Sequence, residues 1–361
     1  MKRALAVVAV AVGSVVLVGA SKSSKPEDLK LLEEARKYFQ PLPKVAESKE
    51  NPITPEKVEL GKMLYYEPRL SKSGLISCNT CHNLATYGVD NLPTSVGHRW
   101  QVGPRNAPTT LNAALHTSQF WDGRAKDVEE QAKGPILNPI EMAMDSPDEV
   151  IKRLKSIPEY VRLFNKAFPN EKEPITYDNV AKAISAFERT LITPSRFDKF
   201  LQGDLNALTK EEKDGLKIFM EVGCASCHNG PALGGNMLVK FGIVEAYWNA
   251  TKDYVTLDKP TMPMDVGRFA VTHKEEDLYV FKVPSLRNVS RTYPYFHDGS
   301  VWNLGDAVQV MAKVQLGKEL TKDQVNKIVA FLKALDGEIP KNALELPVLP
   351  PSRAETPKPV R

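Results

Sequence analysis

Apolar residues recur along this chain at helical rather than strand spacing. The clearest run is Val325, Ile328, Val329, Leu332 and Leu335, which share one face of a helix. Thr321 with Gln324 opens that helix as a capping box, and Gly337 is expected to end it. Thr209 with Glu212 predicts a second helix start, and Thr54 followed by Pro55 a third, with proline at the first helical position. Alternating apolar and polar positions are scarce, while glycine and proline interrupt the chain often. The pattern predicts an all-α protein. Two segments depart from it. Ala4 to Val18 is almost wholly apolar, follows Lys2 and Arg3, and leads into Val18-Gly19-Ala20, as a cleavable export signal over residues 1–20 does. Its fifteen residues are short for a hydrocarbon core of ~30 Å, so the mature chain is expected outside the membrane, in the periplasm. Residues 346–361 form a proline-rich tail with little expected capacity to pack.

A length of 361 residues favours two domains over one small core. With 42% hydrophobic and 25% charged residues the chain is neither fibrous nor disordered. The formal charge is +4, falling to +2 without Lys2 and Arg3, and no basic tract exists to follow a nucleic-acid backbone. The four cysteines carry far more information. They stand as Cys78-Asn79-Thr80-Cys81-His82 and Cys224-Ala225-Ser226-Cys227-His228, and C-x-x-C-H is the attachment sequence of c-type haem. Two thiols at that spacing reach the two vinyl groups of one porphyrin, and the next residue sets its imidazole on the iron. A zinc centre needs four ligands together, whereas each cluster offers three. A redox dithiol has no use for histidine in the same place twice. Every cysteine is used, which implies two covalent haem c groups.

The surroundings of the two motifs repeat. Gly61-Lys62-Met63-Leu64-Tyr65 precedes the first and Gly215-Leu216-Lys217-Ile218-Phe219 the second, with eight more residues between helix and motif in the first copy. We therefore expect two cytochrome c-like domains related by internal duplication, over residues 51–195 and 196–345. An N-terminal extension (21–50) precedes them, and Thr193-Pro194-Ser195 lies near the boundary.

Further stretches resemble one family. They are Gly103-Pro104-Arg105-Asn106-Ala107-Pro108-Thr109, Phe120-Trp121-Asp122-Gly123-Arg124-Ala125, Glu130-Gln131-Ala132 with Gly134-Pro135, Asn138-Pro139-Ile140-Glu141-Met142, Val283-Pro284-Ser285-Leu286-Arg287-Asn288, Tyr295-Phe296-His297-Asp298-Gly299-Ser300 and Gln315-Leu316-Gly317. In this order, from about Pro52 to Pro340, the chain resembles the bacterial di-haem cytochrome c peroxidases. The resemblance implies a low-potential, peroxide-reactive haem on Cys78, Cys81 and His82, capped at rest by His98. It implies Glu141 as catalytic glutamate, with Gln131 and Pro135 beside it. It implies a high-potential haem on Cys224, Cys227 and His228 with Met311 as axial ligand, thioether ligation raising the potential. Met262 and Met264 are rival ligands from a Pro-rich loop. Trp121 is implied between the haems, and calcium at Asn106 with the carbonyls of Thr292 and Pro294, oxygen ligands suited to a hard cation.

The activity so implied is reduction of hydrogen peroxide to water with electrons from a small periplasmic donor, a monohaem cytochrome c or a cupredoxin, by a homodimer. Two other readings compete. A non-catalytic electron carrier would keep His98 as a permanent ligand. A related di-haem enzyme that oxidises a protein tryptophan precursor would carry tyrosine where Met311 stands.

Overall fold

Each of the three predicted helix starts is built as the side chains dictate. In a computed structural model, which describes residues 25–254 and 264–360, Thr54 accepts from the Lys57 amide ahead of the helix Pro55–Tyr65. Thr209 and Glu212 bond reciprocally ahead of Lys210–Val222, and Thr321 and Gln324 ahead of Lys322–Lys333. The last of these stops at Lys333, four residues short of Gly337, which does not act as its cap. Gly337 instead bridges to Ser195 in extended backbone, where a Cβ would run into the carbonyl groups of Thr193 and Pro194. Only one small sheet occurs among the described residues, Leu238–Lys240 antiparallel to Val280–Lys282. The fold is helix-rich, as expected. No helix among the described residues is long and apolar enough to cross a membrane. The leader 1–20 and Met262 lie outside them.

Two large hydrophobic cores form among the described residues, and each is built on a crossing of two helices at a glycine. Pro55–Tyr65 crosses Tyr177–Glu188 where Gly61 meets the Ala183 carbonyl and Phe187. Lys210–Val222 crosses Lys322–Lys333 where Gly215 meets the Lys327 carbonyl and Phe331. Only a residue without a Cβ lets the backbones come this close. Leu60, Leu64, Ile184 and Phe187 anchor the first core; Leu216, Phe219, Ile328 and Phe331 anchor the second.

A loop-and-helix pattern also recurs, with matching residues a constant 176 positions apart. A bridge pairs Gln119 with Ala125 and another pairs Tyr295 with Val301. Inside each, a phenylalanine (Phe120, Phe296) and a glycine (Gly123, Gly299) take positive φ. Asn112 and Asn288 are both left-handed, and both donate to the Thr193 hydroxyl, at 2.8 and 2.9 Å. Asp127 and Asn303 then cap the helices Val128–Leu137 and Leu304–Leu316.

The chain ends cross between the cores. The helix Lys25–Ala35 buries Leu32 and Ala35 in the second core, where Lys213 pairs with Asp28 at 2.8 Å. The proline-rich tail does pack, contrary to expectation, and it packs on the first core. Arg69 donates to the Pro350 carbonyl (2.8 Å) and Ser352, the Ser156 hydroxyl donates to Thr356, and the Val360 amide donates to the Lys72 carbonyl. Prolines preset an extended strand whose carbonyls are free to accept, so packing here needs no helical or alternating pattern.

Candidate functional site

The two C-x-x-C-H segments fold as short helical turns, Cys78–Cys81 in one core and Cys224–Ser226 in the other. None of the four thiols is in a disulfide. Burial pushes all four up, Cys81 and Cys224 to about 11, so they are poor thiolates for metal binding or disulfide exchange. Both histidines are oriented by backbone. The His82 Nδ1 lies 2.9 Å from the Pro108 carbonyl, and the His228 Nδ1 lies 3.2 Å from that of Leu233, with the Pro284 carbonyl also in reach. Pro108 and Pro284 are themselves 176 apart. With Nδ1–H donated to a carbonyl, each ring presents a neutral Nε2 lone pair, the form a metal takes. Burial lowers both rings, His228 to about 4. Half-buried thiols with an adjacent, tautomer-set imidazole fit covalent haem.

Around His228 the chain encloses one large, mainly apolar cavity. Cys224, Cys227, His228, Met311, Trp121, Asn106, Thr292 and Pro294 all line it, so the structure brings together the expected second-haem ligands, the bridging tryptophan and the three residues of the calcium expectation. Met264 is 43% exposed and does not line it. The Trp121 Nε1 donates to the Asn106 carbonyl (2.9 Å), and its ring meets His297 edge-on at 6.3 Å. Trp121 and His297 occupy matching positions of the repeated loop, so the two copies face each other through them.

The first motif has different company. Gln131 and Pro135 lie on the helix Val128–Leu137, and the chain then folds back, the Met142 amide donating to the Pro135 carbonyl, to place Glu141. Glu141 is half-buried and within electrostatic reach of Cys81. Burial pushes its carboxyl up, against the opposing pulls of Arg124 and the Asn138 side chain. The His98 amide donates to the carbonyls of both Ile140 (3.0 Å) and Glu141 (2.8 Å), so the loop carrying His98 is fastened to the glutamate segment. The His98 ring, its Nδ1 buried without a partner, lines a second cavity with Lys72, Gln101, Leu137 and Asp145, whose walls include none of Cys78, Cys81 and His82. Sequence reasoning missed Arg124 as a group acting on Glu141, and it missed Lys282 and His116 in the large cavity; charge alone did not distinguish them from surface residues.

A family model described as di-haem cytochrome c peroxidase matches residues 55–206. The chain is 51% identical over 332 residues to the cytochrome c551 peroxidase of Pseudomonas aeruginosa, covering 91% of this chain and 92% of that protein. It is 50% identical to the cytochrome c551 peroxidase of Nitrosomonas europaea, covering 85% and 88%. Among solved structures, a MauG-like protein associated with microbial copper homeostasis superposes with a TM-score of 0.72 at 28% identity, over 85% of this chain and 97% of that one.

Proposed function

We propose, because this chain belongs to the di-haem cytochrome c peroxidase family, that it reduces hydrogen peroxide to two waters at the His82 site, consuming two protons and two electrons from a small redox protein. One observation carries the division of labour. Met311 and Pro135 occupy matching positions, 176 apart, on the helices that follow the repeated loop. A thioether there can reach an iron; a proline ring cannot ligate one. The side of His228 is therefore built for a closed, methionine-ligated centre, and the side of His82 for one that opens, with Glu141 beside it. The matched crossings at Gly61 and Gly215 and the repeated loops support two cytochrome c-like domains, 51–195 and 196–345, each holding one haem and related by duplication.

When bound, the haems supply the redox chemistry, electron storage on the Met311 side and oxygen–oxygen cleavage on the His82 side. The protein supplies proton handling and position. Glu141 takes a proton from the near oxygen of peroxide and delivers it to the far one, so that water rather than hydroxide leaves. Burial raises its pKa above the ordinary carboxylate value, which strengthens it as the base that takes the proton. Gln131 and Pro135, on the helix that precedes Glu141, would wall the pocket beside it. His98, on the loop fastened to Glu141, is the group that caps the site at rest and withdraws. Trp121 lies on the route between the two sides. The Asn106 amide nitrogen donates to Leu92 (2.9 Å), which leaves its oxygen, with the carbonyls of Thr292 and Pro294, for a calcium ion. The leader 1–20 supports a periplasmic location, where the donor is a monohaem cytochrome c or a cupredoxin. The exposed Trp100 and Val102 beside His98 give a homodimer an apolar patch to cover.

The test is stopped-flow peroxide reaction and steady-state turnover of the haem-loaded protein, fully ferric and reduced by one electron, with Glu141→Gln alongside. The variant is expected to lose about 10²–10⁴-fold in turnover with both haems retained. Fast reaction only after one-electron reduction supports His98 as a gate; fast reaction in both states keeps the peroxidase and removes the gate. No reaction in either state overturns the reading and leaves an electron carrier, whereas undiminished turnover in Glu141→Gln keeps the peroxidase and overturns the role of Glu141.

A further inference from the structure

The large cavity holds a cationic pair that the proposed chemistry does not use. Lys282 ends the strand Val280–Lys282 and is 6% exposed. Its Nζ lies 3.0 Å from the Nδ1 of His116. An ammonium only donates, so His116 accepts at Nδ1 and must carry its own hydrogen on Nε2. That Nε2 is buried and has no hydrogen-bond partner among the described residues. The ring lies close against Gly235, where a Cβ would collide with it. Both residues line the cavity of Cys224, Cys227, His228 and Met311, whose walls also carry Lys240 and, among the described residues, contain no aspartate or glutamate. No ion pair to Lys282 occurs among the described residues, and no carboxylate acts on it: burial alone drives its ammonium down to about 8. The pair is thus one positive charge and one N–H donor, side by side, in an apolar enclosure.

Leaving a charge unpaired in such a place costs several kcal/mol, and a donor without an acceptor adds about 1–3 kcal/mol. The complement to both at once is an anion with two acceptor oxygens. Building on the reading of this cavity as a haem site, we propose that Lys282 and His116 together hold a propionate carboxylate of the haem attached through Cys224 and Cys227, with Lys282 neutralising it and the His116 Nε2–H donating to it. The Lys282 amide donates to the Trp121 carbonyl at 2.6 Å. The cation that fixes the haem edge is therefore tied to the loop carrying Trp121. A neutralised propionate no longer favours the ferric state, so the pair is a positioning device that holds this haem's potential high.

The experiment compares the haem-loaded wild type with Lys282→Met and Lys282→Arg, reading covalent haem content and the midpoint potential of each haem by optical titration. Lys282→Met is expected to shift the reduction equilibrium of the methionine-ligated haem at least tenfold toward ferric, about 59 mV for one electron. The other haem should stay put, and Lys282→Arg should restore most of the shift. Unchanged potentials, or equal shifts at both haems, overturn the proposal. A wild-type potential that follows added phosphate or chloride assigns the site to a free anion and also overturns it. Should Lys282→Met fail to load haem, resonance Raman on the wild type and Lys282→Arg decides: a propionate bending mode that differs between them supports the contact, and an identical one refutes it. Fewer than two covalent haems in the wild type fails the underlying reading instead, and this inference falls with it.

Discussion

Replacing Gly61 or Gly215 with alanine sets two effects of opposite sign against each other. Each glycine lies inside a helix, where alanine is intrinsically better by about 1 kcal/mol. Propensity alone therefore predicts a more stable protein. The crossing predicts the reverse. A Cβ on Gly61 would stand 2.6 Å from the Ala183 carbonyl carbon and 3.0 Å from the Phe187 Cβ, and closer still to the carbonyl oxygen. A Cβ on Gly215 would meet Lys327 and Phe331 at the same two distances. Backbone, not a movable side-chain tip, is in the way, so the helices must part. A gap of ~0.5–1 Å already forfeits a quarter to a half of each van der Waals contact across it. Overpacking of this kind typically costs about 1–3 kcal/mol, and with backbone as the obstacle we expect a net loss of about 2 kcal/mol or more for each variant. Gly134 is the control, since its Cβ would meet only the tip of the Phe120 ring, at 3.2 Å. The measurement is equilibrium urea unfolding of haem-loaded protein, followed by far-ultraviolet dichroism and haem absorbance together. Because the cores are separate, the double variant should show the sum of the single effects. Either variant matching or exceeding the wild type would refute the argument that these crossings require glycine.

Three further outcomes follow from the geometry. Glu188 is buried, and desolvation reinforced by Glu129 pushes its carboxyl up to about 8 against the pull of Arg189. Its stabilising protonation is complete below about pH 4.5 and lost as pH rises through 8, so Glu188→Gln should match the wild type near pH 4 and exceed it by a few kcal/mol at pH 9, in unfolding measured across that range. Deleting residues 346–361 removes the partners of Arg69, Lys72 and Ser156 and should expose the first core to limited proteolysis while leaving the second protected, as peptide mapping would show. Met311→His should lower the potential of the haem on Cys224 and Cys227 and leave the other unchanged, read by redox titration.

Local chemistry was legible from the sequence. Thr54, Thr209 and Thr321 cap helices because a hydroxyl three residues from an unpaired amide satisfies it wherever the rest of the chain goes. The haem motifs were equally plain, since both thiols and the imidazole lie within five residues. What stayed hidden depends on distance along the chain. Lys282 and His116 are 166 residues apart and ordinary in type; only a shared cavity makes them a pair. Gly337 resembles a helix cap, and its close approach to Thr193 becomes visible only when residues far apart in sequence meet. The correspondence of Pro135 with Met311 needs the repeated loops to be in register first, because proline and methionine offer no similarity to align. The tail defeated pattern reading for another reason: its packing rests on carbonyl groups, which every sequence possesses.

The exchange of chain ends has a consequence for how the molecule is made. The helix at residues 25–35 is made before either core, yet its partner surface, on residues 197–222, appears only after the whole first core has been synthesised. The braces of that first core sit in the final stretch, through Val360. Neither half can reach its finished form as a self-contained nascent piece. A chain that folds domain by domain as it lengthens is here held back until its end has emerged. Gene fragments divided at residue 195 would each lack a part that travels with the other, and would recover it only by mixing.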